Sequence, residues 1–155
     1  MVEGTIAPDD PRAADVRALI ARHLAFANEH SPPEDVHALD LTGLLDPDVS
    51  FFSYRLDGEL LAVGALRALG PSHGELKSMH TVKAARGGGI GRAMLDHLLD
   101  VARARGMRRV SLETGTMAAF EPARRLYARA GFEPCEPFGD YFHSPNSTCM
   151  TRELP

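Results

Sequence analysis

The stretch that decides the fold is Arg86-Gly87-Gly88-Gly89-Ile90-Gly91, in which four of the six residues are glycine. It follows an apolar run and precedes apolar residues with helical spacing, so it joins a predicted strand to a predicted helix. Glycine tolerates positive φ and lets a bulky anion approach the backbone closely. The following helix offers unpaired N–H groups and the positive end of its dipole. The loop therefore predicts a phosphate or pyrophosphate site, and a tight turn that binds no ligand is the alternative.

Two common phosphate-binding patterns do not match this loop. A P-loop requires Gly-Lys followed by Ser or Thr, whereas Gly91 is followed by Arg92 and Ala93. A dinucleotide fingerprint requires a glycine three positions after Gly-x-Gly, and the two possible positions hold Arg92 and Met94. Nucleotide triphosphatases and Rossmann dehydrogenases are therefore disfavoured.

The segments before the loop predict two helices and an antiparallel meander. Apolar residues at spacings of three and four predict a helix over residues 13–29, and a shorter helix is predicted over residues 34–45. Strands are predicted near Thr5 and Ile6 and over residues 49–56, 60–69 and 74–82. The pair Asp57-Gly58 between two of these runs is a strong hairpin signal.

The segments after the loop predict a crossover helix and further strands. The helix ends at Gly106, and residues 108–114 return as a strand beside the run before the loop. A second helix has Pro122 in its first turn and ends at Gly131, and a last strand covers residues 148–152. This order predicts an α/β (α+β mixed) fold: a mixed, largely antiparallel sheet of six to seven strands, with helices on both faces and a central βαβ unit.

Composition indicates an ordinary globular chain. The 155 residues are 44% hydrophobic and 25% charged, which fits one domain over residues 1–155. The net charge of -4 argues against a nucleic-acid binder, and the apolar runs are too short to span a membrane. The N-terminus lacks the pattern of a secretory signal, so a cytoplasmic location is expected. The seven histidines show no HExxH spacing, so no metal is expected.

At the glycine loop the chain resembles the GNAT acetyltransferases, whose signature is Arg or Gln, two residues, Gly, any residue, then Gly or Ala. The resemblance runs from Glu75 through the loop and the crossover helix to Leu126-Tyr127-Ala128-Arg129-Ala130-Gly131-Phe132, which is similar to the second signature of the family. With the two helices and the hairpin before the loop, it covers most of the chain. It implies a single N-acetyltransferase domain that uses acetyl-coenzyme A and requires no metal.

The resemblance also implies where the cofactor binds. Backbone amides of residues 87–92 would hold the pyrophosphate, and the backbone near His80 and Val82 would pair with the pantetheine arm. Many members have Asn seven residues before the second-signature tyrosine, where this chain has Phe120. The residues predicted to bind the cofactor are His80, Val82, Arg86, Gly87, Gly88, Gly89, Ile90, Gly91 and Arg92.

The chemistry of acetyl transfer defines the catalytic candidates. A free alkyl amine with a pKa of ~10.4 is mostly protonated at pH 7, so a base must remove a proton before attack on the thioester. Glu75, Glu113 and His80 are the candidates, with Glu75 preferred because it resembles the glutamate base of some members. Tyr127 matches the tyrosine that protonates the departing thiolate in many members.

The acceptor follows less directly from the sequence. We expect a primary amine of a small molecule; a protein N-terminus or lysine is the alternative, and a non-catalytic acyl-CoA-binding module is a third reading. The family often forms dimers, so a homodimer is possible. In this fold the segments that contain Phe26, Glu34, His37 and Tyr141 often line the acceptor pocket.

Overall fold

The computed structural model describes residues 4–155. Its seven strands form one sheet in the order β1-β2-β3-β4-β5-β7-β6. The strands are β1 (Thr5–Pro8), β2 (Val49–Leu56), β3 (Glu59–Ala68), β4 (His73–Thr81), β5 (Arg109–Gly115), β6 (Glu133–Cys135) and β7 (Ser147–Glu153). Only β4 and β5 pair in parallel, and every other neighbouring pair is antiparallel. The predicted mixed, largely antiparallel sheet is confirmed.

Four α-helices accompany the sheet in the described part of the chain. They are α1 (Ala14–His30), α2 (Leu41–Leu44), α3 (Ile90–Ala104) and α4 (Glu121–Arg129), with short 3-10 turns at Pro33–Asp35, Lys83–Ala85 and Ala118–Phe120. Helix α3 crosses from β4 to β5, which confirms the predicted βαβ unit. Within residues 4–155 no helix combines the length and apolar character needed to cross a bilayer.

The continuous helix predicted over residues 34–45 is wrong. Only the turn Pro33–Asp35 and the four residues of α2 are helical there, and Val36 is extended. The side chain of Asp40 accepts a hydrogen bond from the amide of Gly43 at 2.9 Å, which makes Asp40 the N-cap of α2. Because an N-cap residue has an extended backbone, a new helix begins there and the earlier turn cannot continue into it.

Two apolar cores lie on opposite faces of the sheet. Helices α3 and α4 pack on one face around Leu66, Met94 and Leu98, and α1 packs on the other around Val16 and Val63. The alternating side-chain direction of a strand divides its residues between the two cores. The prediction of helices on both faces is confirmed.

A bulge in β4 opens the sheet. Val63 pairs with His80 and Ala65 with Lys77, so Ser78 and Met79 lie opposite one residue of β3. Ser78 has a φ of 56°, which is unusual for a residue with a side chain. The parallel pairing of β4 with β5 ends at Glu75 and Ser111, although both strands continue beyond it. The two strands therefore separate and leave a cleft between them.

Candidate active site

A cavity of about 610 Å³ fills the cleft between β4 and β5. Its walls come from the separated strands, at residues 76–81 of β4 and 112–115 of β5. The glycine loop lies at one part of the wall, and residues of α1, of the segment after it and of α4 complete it. The cavity thus brings together segments that are far apart in sequence, and a well-formed pocket of this kind is a candidate active site.

The helix that follows the glycine loop, α3, has no side-chain cap at its N-terminus. Gly87 and Gly89 have φ values of 84° and 87°, and Gly89 is the N-cap of α3. It offers no side-chain acceptor to the first N–H groups of α3, and the first turn contains no acidic residue. Within residues 4–155, no atom outside the glycine and its two chain neighbours lies within 4 Å of the position that a Cβ would take at Gly87 or Gly89. Open space beside unpaired amides is a suitable site for an anion.

Other residues of the loop contribute differently. Arg86 turns back toward β4, where its Nε donates to the carbonyl of Thr81 at 3.1 Å. Arg92 forms an exposed pair with Asp96 at 2.9 Å. Both arginines lie in the cavity wall together with Gly87, Gly89, Ile90 and Gly91, whereas Gly88 does not.

The backbone of Val82 already has hydrogen-bond partners. Its amide donates to the carbonyl of Leu61 at 2.8 Å, and its carbonyl accepts from the amide of Ala85 at 3.0 Å. Its side chain packs against the core beneath α1. Because β3 and the turn at Lys83–Ala85 already use its backbone, Val82 has no free N–H for an extended ligand.

His80 lines the cavity and pairs with another histidine. Its Nδ1 lies 3.0 Å from Nδ1 of His23 on α1, and its Nε2 lies 3.4 Å from Nη2 of Arg86. Arginine can only donate, so His80 accepts at Nε2 and donates from Nδ1 to His23. Burial, reinforced for His80 by Arg86, lowers the pKa of each histidine to about 4. At neutral pH His80 is an uncharged, fully bonded ring and a weak base.

Tyr127 of α4 is in the cavity wall and only 8% exposed. Its ring lies against Phe132, with the centroids 6.0 Å apart. Burial raises the pKa of its hydroxyl to about 12. The phenol therefore stays protonated at neutral pH and can act as a proton donor.

Glu75 is buried outside the cavity wall. It is 2% exposed, and its Oε2 accepts a hydrogen bond from the hydroxyl of Tyr141. Nζ of Lys77 lies 3.6 Å from the same oxygen and also donates to Tyr141 at 2.8 Å and to the carbonyl of His37 at 3.0 Å. This compact network engages Glu75 in structural contacts and separates it from the cavity.

Glu113, by contrast, lies in the cavity wall. Its Oε2 accepts a hydrogen bond from Ser147 at 2.5 Å and lies 3.9 Å from Nε2 of His37. Burial raises the pKa of this carboxyl, although Ser147 and His37 lower it. A carboxylate with a raised pKa in a cleft is a suitable proton acceptor.

The segment after α1 contributes a residue that the sequence did not single out. Asp35 is 6% exposed and lies in the cavity wall, as do Phe26 and His37. Glu34 is exposed outside the wall, and Tyr141 lies with Glu75. Nothing in the sequence Pro33-Glu34-Asp35 distinguishes the buried carboxylate from the exposed one, so only the fold identifies Asp35.

Phe120 forms an apolar part of the wall, at the position where many GNAT members have Asn. Its ring packs against that of Phe26 with the centroids 5.4 Å apart. It also covers Gly115, where a Cβ would come within 2.4 Å of the Phe120 ring. The aromatic contact thus depends on glycine at the end of β5.

Known proteins are similar to this chain in both sequence and fold. The family model of the acetyltransferase (GNAT) family matches residues 15–132. YsnE of Bacillus subtilis (strain 168), described as an uncharacterised N-acetyltransferase, is 45% identical over 146 residues, which are 94% of this chain and 97% of that protein. An IAA acetyltransferase of Azospirillum brasilense is 37% identical over 151 residues, 97% of each chain.

Solved structures agree with these relatives. A protein of Klebsiella pneumoniae described as an acyl-CoA N-acyltransferase has a TM-score of 0.83 and 30% identity, with 97% of each chain covered. A GNAT acetyltransferase of Elizabethkingia anophelis, solved with acetyl-CoA bound, has a TM-score of 0.72 at 16% identity, over 98% of this chain and 99% of that one. The chain belongs to the GNAT family of acetyltransferases and is an acyltransferase enzyme.

Proposed function

We propose that the protein transfers the acetyl group of acetyl-CoA to a primary amine of a small molecule by direct attack on the thioester. The observation that carries this proposal is one cavity whose wall contains an uncapped helix N-terminus, the partly buried carboxylate of Glu113 and the buried Tyr127. The relative named IAA acetyltransferase is a further reason to test small molecules first.

The cofactor site is assigned to the glycine loop and the start of α3. Amides of residues 87–92 hold the pyrophosphate, because Gly89 leaves the first turn of α3 without a side-chain cap. Open space at Gly87 and Gly89 lets the phosphate oxygens reach the backbone. Arg86 and Arg92 add positive charge at the same wall. The bound cofactor supplies the activated acetyl thioester.

The pantetheine arm is assigned to the cleft side of β4. Beyond Glu75 this strand has no partner on the β5 side, so its cleft-facing backbone groups are free to bind an extended ligand. His80 lies along this edge, whereas the amide of Val82 is engaged by Leu61. Free N–H groups near the bulge can also stabilise negative charge on the reacting oxygen.

Glu113 is the proposed general base. It takes a proton from the ammonium form of the acceptor, and its raised pKa makes it a stronger base than an ordinary glutamate. Glu75, the residue favoured by the sequence, lacks access to the cavity. His80 is disfavoured because its lowered pKa leaves little affinity for a proton at neutral pH.

Tyr127 is the proposed general acid. Its hydroxyl remains protonated at neutral pH and can give its proton to the sulfur of the leaving group. The raised pKa of Tyr127 makes its hydroxyl a weaker acid, but it also keeps the hydroxyl protonated and able to donate. Base and acid thus come from two different elements of the cavity wall, β5 and α4.

The experiment measures thiol release from acetyl-CoA across a panel of small amines and peptides. We expect Glu113→Gln to lower kcat by ~10² to 10⁴ and Tyr127→Phe to lower kcat more than acetyl-CoA affinity. Glu59→Gln, an exposed carboxylate change at the start of β3, is the matched control.

Two outcomes would change the assignment. Faster reaction with peptides than with any small amine would favour a protein acetyltransferase. If acetyl-CoA binds and no acceptor raises thiol release above hydrolysis, the non-catalytic module replaces the enzyme. A single domain over residues 1–155, a cytoplasmic location and a homodimer stay predictions; the shared sheet of all seven strands supports the first of them.

A further inference from the structure

Asp35 is a buried carboxylate with an unused oxygen. Its Oδ2 accepts a hydrogen bond from Nδ2 of Asn146 at 3.3 Å, and its Oδ1 has no hydrogen-bond partner among residues 4–155. No cationic side chain of the described chain lies within salt-bridge distance of it. A carboxylate is costly to bury without a partner, so the cavity wall is electrostatically incomplete at this point.

The basic side chains Lys77 and His37 already have partners. Lys77 has three partners, namely Glu75, Tyr141 and the carbonyl of His37, which match the three protons of its ammonium group. His37 directs Nε2 toward Glu113 at 3.9 Å. Neither group is therefore available to pair with Asp35.

Asp35 and Glu113 act on each other within one cavity. Burial is the main reason why the pKa of Glu113 is raised, and the charge of Asp35 raises it further. Lys77 pairs with Glu75, so this lysine does not offset the charge of Asp35. A ligand that satisfies Oδ1 of Asp35 must therefore bring positive charge or N–H donors.

The two carboxylates require different partners. Glu113, as the proposed base, must leave the reacting nitrogen neutral so that it can attack. Asp35 has no role as a base in this scheme, so a group that stays protonated during the reaction satisfies it best. One nitrogen cannot meet both requirements at once.

We propose that Asp35 binds a second nitrogen of the acceptor, one that stays protonated during the reaction, and that the substrate class is short diamines and related amines with two basic nitrogens. This inference rests on the proposed function, because it assigns Glu113 to the reacting nitrogen. Asp35 is a specificity-determining residue in this scheme. A monoamine leaves its Oδ1 unpaired, and sites built around a polar partner strongly reject analogues that lack it.

The test compares three acceptors with four carbon atoms each: 1,4-diaminobutane, 1-aminobutane and 4-aminobutanoate. We expect kcat/KM to be ~10²-fold higher for the diamine than for the monoamine, and lowest for the amino acid, whose carboxylate is repelled. Asp35→Asn keeps the size and the contact to Asn146 but removes the charge. It should reduce the preference for the diamine to less than ~10-fold, mainly through a higher KM for the diamine, with acetyl-CoA affinity unchanged.

Glu34→Gln is the matched control, because it removes the same charge one residue earlier from an exposed side chain. It should keep the full preference for the diamine. Thermal unfolding of Asp35→Asn checks its folding; the loss of an unpaired buried charge should leave its melting temperature equal or higher.

The result that overturns the inference is equal kcat/KM for diamine and monoamine, or a preference that Asp35→Asn leaves intact. Calorimetric titration of 1,4-diaminobutane into the CoA complex gives a readout without turnover. Binding that Asp35→Asn abolishes would support the assignment of Asp35 even if no amine is acetylated, in which case only the proposed function fails. Absence of binding to both proteins would reject the diamine site itself.

Discussion

Acidification should destabilise the protein through His23. This residue of α1 is partly buried and accepts, at Nδ1, the proton that His80 donates across 3.0 Å. Burial, with the charges of His80 and Lys77 adding to it, lowers the pKa of His23 from 6.5 to about 4. The folded protein thus keeps the ring neutral at a pH where the unfolded chain binds a proton.

The magnitude follows from the difference in bound protons. A folded-state pKa below the unfolded value means that stability is fully present above pH 6.5 and is lost as the pH falls toward 4. Each pH unit in that window costs about 1.4 kcal/mol for one histidine. Between pH 7 and pH 5, His23 should therefore lower the free energy of unfolding by about 2 kcal/mol. His80, whose pKa is also lowered to about 4, contributes in the same direction.

The assay is urea unfolding at pH 7 and pH 5, at constant ionic strength, on the wild type and His23→Gln. Glutamine does not titrate, and its carbonyl can still accept the proton of His80. The variant should lose about 2 kcal/mol less than the wild type over this pH change. His73 and His97, whose pKa values are lowered by burial, and Glu113, whose pKa is raised by burial, are present in both proteins and cancel in the difference.

His143→Gln is the control, because this histidine is 81% exposed. It should change the pH dependence little. Equal losses for the wild type and His23→Gln would refute the reasoning. So would NMR signals of the His23 ring that titrate near pH 6.5, since they would show that the folded state does not exclude the proton.

Two further predictions concern glycines. Gly64→Ala should lower the free energy of unfolding by about 1 to 3 kcal/mol, because the added Cβ would lie 2.8 Å from Cγ of Met94 in the core. Its control is Gly70→Ala, which has open space around the added Cβ and should leave the free energy of unfolding unchanged in the same urea assay. Gly89→Asp should weaken acetyl-CoA binding at least ~10-fold in calorimetry by placing a carboxylate at the pyrophosphate site, and Gly89→Asn, equally able to adopt positive φ, should weaken it much less.

The order of elements could be predicted because its signals are local. Asp57 and Gly58 both have positive φ, at 52° and 82°, which is the turn that an Asp-Gly pair predicts between two strands. The glycine loop and the stripe of α3 likewise depend on neighbouring residues only. The same local signals were insufficient over residues 34–45, where the Asp40 cap outweighed a weak helical pattern.

The polar contacts of the site join residues that no local pattern relates. Tyr141 bonds to Glu75 across 66 positions, and Asn146 bonds to Asp35 across 111. The sequence therefore presents Glu34 and Asp35 as equivalent carboxylates, and only the packing of the segment after α1 buries one of them.

The choice of base illustrates what decides function beyond the order of elements. Glu75 stands at the last position where β4 still pairs with β5, and its partner there is Ser111. Glu113 lies two residues further along β5, where the strands have separated and the cavity begins. The separation accompanies a bulge at Ser78, a residue with no intrinsic preference for positive φ. The alternation of side chains along a strand predicts which carboxylates share a face of the sheet. The point where β4 and β5 separate determines which of these carboxylates reaches a substrate.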